Sequence, residues 1–178
     1  MVIPMFKSLL ATVLVLSTCL GTSVHAARVN KYGVRLLDVE DFPARYQRLA
    51  TALATAGIDV VDGHNWEACK PTETTITKGF YAPAENFIVL CTNNQLPDIM
   101  TTFVHEAVHA VQDCRAGLDN PILLNDAQSF MLKALKPGEL EWIRQAYPEH
   151  QWMDEVEARY LDQYPNTVSM DVNWHCNI

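Results

Sequence analysis

The strongest constraint in this sequence is the run from Pro97 to about Arg115. At about 100° per residue, Ile99, Met100, Phe103, Val104, Ala107, Val108, Ala110, Val111 and Cys114 cover one broad face of a helix, and Gly117 supplies its stop. So wide an apolar face needs other elements packed over it, which predicts a central helix with the rest of the fold assembled around it. The opposite face collects Thr102, His105, His109, Gln112 and Asp113.

The chain has 178 residues, room for one ordinary domain, and its 49% hydrophobic content with only 7 Gly and 9 Pro excludes disordered and collagen-like architectures. Between Asp41 and Gly57, Phe42, Tyr46, Leu49, Ala50, Leu53 and Ala54 recur at helical spacing. Ile58 to Val61 reads as a short strand. Thr74 to Tyr81 and Phe87 to Cys91 read as a hairpin or adjacent strands about the turn chemistry of Pro83, Ala84, Glu85 and Asn86. Leu118 to Leu124 reads as loop. Helices then follow at roughly Asp126 to Leu135, Gly138 to Ala146 and His150 to Gln163, punctuated by Pro137, Pro148 and Pro165. The order is α+β, with a small antiparallel or mixed sheet beside the central helix and a C-terminal helical part.

Met1 to Ala26 stands apart. It holds one Lys, Lys7, no acidic residue, and an apolar stretch from Leu9 to Leu20 too short to span a bilayer comfortably, the pattern of a secretory signal peptide cut near Ala26. An uncleaved anchor and a lipoprotein box ending at Cys19 are the alternatives. The expected mature unit is a single domain over 27–178, secreted or periplasmic, with no stable membrane insertion after cleavage. Export makes Cys69, Cys91, Cys114 and Cys176 an even set for two disulfides, and no two of them have the C-x-x-C spacing of a zinc knuckle. Cys69 precedes the first hairpin strand and Cys91 ends the second, while Cys114 closes the apolar side of the central helix. The expected pairs are Cys69 with Cys91 and Cys114 with Cys176, the second holding an otherwise loose tail. With 13 Lys and Arg against 21 Asp and Glu, the net charge of −8 repels phosphate backbones and anionic lipid, so nucleic acid is excluded as an expected partner.

The central helix carries His105-Glu106-Ala107-Val108-His109. Two imidazoles at i and i+4, about 5–6 Å apart at Cβ, can aim at one ion, and neutral imidazole suits zinc. Glu106 sits on the flank, placed to act as general base on a water at the metal. A catalytic zinc needs a third protein ligand, and the candidates lie in Trp152 to Leu161. Glu155 and Glu157, two apart on a helix, cannot both face one site. The apolar set Trp152, Met153, Val156, Tyr160, Leu161 and Tyr164 centres roughly 60° from Glu157 and roughly 140° from Glu155. An inward glutamate must find a metal or a counter-charge, so Glu157 is the expected ligand. Tyr147, His150, Tyr160, Tyr164 and His175 are open as oxyanion donors, and Asp113 and Asp154 as carboxylates that orient ligands. His64 reads as surface, and Trp66, Trp142, Trp152 and Trp174 as packing, with a cleft-lining place for Trp174 as the alternative.

His105-Glu106-x-x-His109 followed on a later helix by Glu157-Ala158 resembles the zincin metallopeptidases of the gluzincin type, especially their small minimal forms. The resemblance implies a zincin-like fold with a small sheet beside the active-site helix. It also implies Zn2+ bound by His105, His109 and Glu157, and Glu106 as the base. Leu161 stands where thermolysin-like members carry an Asp, and Gln112 and Arg115 stand where metzincins carry Gly and His, so the likeness reaches the class and not a subfamily. The expected function is zinc-dependent hydrolysis of a protein or peptide substrate. The alternative is a zinc-stabilised protein-binding module or inactive relative, which would gain nothing from Glu106 beside an open coordination position.

Overall fold

A computed structural model describes residues 28–72, 76–116 and 127–177. The expected signal segment, Cys19, the Leu118 to Leu124 loop and the start of the strand read from Thr74 lie outside the described residues. Six α-helices are described: α1 (Ala44–Thr55), α2 (Leu96–Ala116), α3 (Gln128–Ala134), α4 (Glu139–Ala146), α5 (Trp152–Leu161) and α6 (Pro165–His175). The strands are β1 (Asp59–Asp62), β2 (Gly79–Ala82) and β3 (Phe87–Leu90). The fold is α+β with a small mixed sheet, as expected.

The sheet order is β1-β3-β2. β1 runs parallel to β3 with Val60 opposite Ile88, and β2 runs antiparallel to β3 with Tyr81 opposite Ile88. β3 is Phe-Ile-Val-Leu, buried along its length, as suits a central strand covered on both faces. Alternation sends Val60, Ile88 and Leu90 into the main core and Val61, Phe87 and Val89 into a smaller cluster on the far face. α2 packs against β2 and β3 on one side and α5 and α6 on others, so its broad apolar face is fully used. Phe103, Val104, Ala107, Val108 and Val111 are wholly buried, and each large apolar side chain of this kind contributes about 1.5–3 kcal/mol.

Both expected disulfides are present, Cys69–Cys91 and Cys114–Cys176, with Cα separations of 5.2 and 5.1 Å. They are compatible with an oxidising compartment. No described helix is long and apolar enough to cross a membrane.

The tail is a correction. The sequence reads no helix beyond Gln163, with Pro165 as punctuation and a tail held by its disulfide, but Pro165 is the first residue of α6. Proline is suited to the first helical position, where its missing N–H costs nothing and its φ is already helical. α6 buries Val168 and Val172 against α1 and α2.

Candidate metal centre

α2 crosses α5, and the crossing brings three donors together. His105 and His109 project from α2 with ring centroids 4.8 Å apart and planes nearly perpendicular. Their Nε2 atoms are 3.2 Å apart. From α5, Glu155 places one carboxylate oxygen 3.5 Å from His105 Nε2 and the other 3.3 Å from His109 Nε2. One donor atom from each of the three lies within 4.8 Å of the others, a grouping that could hold a metal ion. Bond lengths of about 2.0–2.1 Å about a tetrahedral ion put donors about 3.3 Å apart, which matches the closest approaches here. The Oε2 atom of Glu155 is buried with no hydrogen-bond partner among the described residues, as expected of an oxygen whose partner would be an ion.

The carboxylate of this cluster is Glu155, not the expected Glu157. The apolar stripe that decided for Glu157 faces α3 and α4: Trp152, Met153, Val156 and Tyr160 pack there with Met131 and Ile143. The side of α5 turned to α2 carries Asp154, Glu155 and the small Ala158, all buried. Glu157 also reaches α2, but further along it. It is fully buried, and its Oε2 accepts a hydrogen bond from Gln112 Nε2 at 2.9 Å. The same amide nitrogen meets the Asp154 carbonyl at 3.2 Å. This leaves the Gln112 oxygen facing His109 Nδ1 at 2.8 Å. Gln112 therefore holds the Nδ1–H tautomer of His109 and points Nε2 at the cluster.

Glu106 is not in the donor cluster. It is buried beside it, and its Oε2 accepts the backbone N–H of Tyr81 at 2.9 Å. β2 reaches α2 this closely because of Gly79, where a Cβ would stand 2.7 Å from Thr102 Cγ2 and 2.6 Å from the Val89 carbonyl oxygen. Tyr81 then donates its hydroxyl to Asp113 at 2.9 Å. Asp113 thus anchors the strand and not a histidine, while Asp154 meets Gln112 through its backbone.

His105, Glu106, His109, Tyr147 and Glu155 line a cleft of about 250 Å³. Of the five expected oxyanion candidates, Tyr147 is the one that lines it. Tyr160 is packed in the core, Tyr164 is exposed, and His150 and His175 lie elsewhere. Burial, then the charges of Glu155 and Glu106, pushes the Tyr147 hydroxyl well above its ordinary range and keeps it protonated. Burial opposes charge on His109, but hydrogen bonding to Glu155 and the charges of Glu106 and Glu155 outweigh it and hold its pKa up to about 9. Burial likewise opposes charge on Glu155, and the closeness of His105 and His109 to its two oxygens prevails, bringing it down to about 2. His64 is exposed, as expected.

The roles of Gln112, Tyr81 and Gly79 were not read from sequence. Gln112 lay on the polar face of the helix, three after His109, which was the one available signal. Fold and site define an α+β domain with a three-donor cluster clamped between two crossing helices. Residues 47–177 match the family model described as Domain of unknown function (DUF8637), and the chain belongs to that family. The match takes in the whole cluster. No curated protein and no solved structure matches the chain.

Proposed function

We propose that this chain is a secreted or periplasmic zinc-dependent peptidase of zincin-like kind, acting on protein or peptide substrates. The observation that carries the reading is the convergence of His105, His109 and Glu155 beside a separately held Glu106, in an open cleft. Two imidazoles and a carboxylate suit zinc, and zinc held there would acidify a water and polarise the scissile carbonyl. The protein's own groups then divide the work. Glu106, oriented by Tyr81 N–H, takes the proton of the attacking water and returns it to the leaving amine. Tyr147, kept protonated by its surroundings, donates to the developing oxyanion. Gln112 and Glu157 hold His109 in the required tautomer.

The test is peptide hydrolysis by the purified protein before and after a chelator, with zinc added back. Activity abolished by the chelator and restored by zinc is the expected result. Activity indifferent to the chelator would refute it.

A further inference from the structure

The active cleft continues past His105, Glu106 and Tyr147 into a second cavity of about 360 Å³, whose far wall includes Arg159 and Trp142. Arg159 projects from α5 one turn beyond Glu155. Its guanidinium carbon lies 5.0 Å from the centre of the Trp142 ring, a cation–π contact. Its Nε is buried and has no hydrogen-bond partner among the described residues. The other cation of this wall, Lys78, is paired with Asp98 at 3.1 Å. Among the described residues no carboxylate comes within ion-pair distance of Arg159. Asp162 shares the cavity and feels the Arg159 charge, yet burial still holds its carboxyl up to about 6, where a fully paired carboxylate would be depressed.

A half-buried guanidinium on the wall of this cavity, with no carboxylate at ion-pair distance among the described residues, presents a planar set of donors suited to an anion. We propose that Arg159 forms a subsite of the cleft that receives a carboxylate of the substrate, either an acidic side chain or the free C-terminal carboxylate of a peptide. This rests on the peptidase reading above.

Two measurements on the zinc-loaded full chain test it. In the first, kcat/KM is compared across short alanine peptides carrying one Glu or one Gln, each with a free or an amidated C-terminus. Preference for Glu in amidated peptides assigns the subsite to a side chain, and preference for the free acid assigns it to the terminus. Either preference should be about tenfold or more, and Arg159→Met should remove it while cleavage of the neutral amidated peptide changes less than about twofold. Arg159→Lys, which keeps the charge without the fork, should lose most of it. No preference in wild type, or a preference that survives in both variants, overturns the proposal.

The second measurement follows the Arg159 Nε–H resonance of wild-type protein as the same peptides are added. It needs neither turnover nor a variant. If no peptide is cleaved, the peptidase reading fails, and this titration still decides the subsite. A shift with the carboxylate peptides and none with the neutral amidated one supports it, and no shift with any overturns it.

Discussion

Gln112 donates its amide N–H groups to Glu157 at 2.9 Å and to the Asp154 carbonyl at 3.2 Å, and together these bonds decide which end of the amide His109 meets. A fully buried carboxylate two residues from Glu155 thus acts on the donor cluster through an intermediary.

Glu155 and Glu157 should therefore fail differently. Glu155→Ala removes a donor and should abolish stoichiometric zinc binding. Glu157→Ala leaves the donors in place but frees the Gln112 amide to turn, so zinc affinity should fall about 10–100-fold while stoichiometry at saturating zinc is kept. The unmet Gln112 N–H should also cost about 1–3 kcal/mol of stability. Competition with a chromophoric chelator, together with urea unfolding, checks both.

The pH dependence of the metal-free protein follows from the same cluster. His109 is raised from 6.5 to about 9, so its stabilising contribution is complete below pH 6.5 and is lost as pH rises through about 9. Glu155 is lowered from 4.5 to about 2, so its contribution is present above pH 4.5 and is lost as pH falls through about 2. As regards these two groups, metal-free stability should be greatest between about pH 4.5 and 6.5 and decline on either side. Zinc affinity should run the other way on the alkaline side, rising about tenfold per pH unit up to about 9 as the bound proton is displaced. Thermal melts and zinc titrations across pH 4–9.5 read both. Zinc affinity flat from pH 6.5 to 9 would sink this reading.

Tyr147→Phe should keep zinc and fold, because the ring stays and only the hydroxyl goes. Loss of one oxyanion donor costs about 10²–10³ in kcat. A variant with wild-type kcat would remove Tyr147 from the chemistry.

The disulfides should differ in weight. Cys114–Cys176 spans 62 residues and ties α6 to the end of α2, whereas Cys69–Cys91 spans 22. On loop-closure entropy, removing the longer bridge should cost about 4 kcal/mol and the shorter about 3 kcal/mol. Denaturant midpoints of the double Cys→Ala variants give the order.

How much of this was legible follows from where each signal lives. The α2 pattern is local and strong, so its length, its apolar face and the histidine spacing were readable from sequence. The phase of α5 was not, because that helix is covered on two sides: Val156 belongs to the cluster with α3 and α4, and Ala158 and Leu161 to the main core. Averaging its apolar residues found the α3/α4 side. The side facing α2 is lined instead by Asp154, Glu155 and a small Ala158. α6 was hidden by Pro165, which can stop one helix or start the next. Tyr81 meets Glu106 through a backbone N–H 25 residues away in sequence, and no side-chain pattern encodes that.

The most direct test compares zinc-loaded wild type with Glu106→Gln on a broad peptide library, each at measured zinc occupancy. Glu106 stands outside the donor cluster, so the variant should hold the same zinc. Loss of a positioned base should slow hydrolysis by about 10²–10⁴. Equal rates in the two proteins, or a wild type that binds zinc stoichiometrically and cleaves nothing, would contradict the peptidase reading.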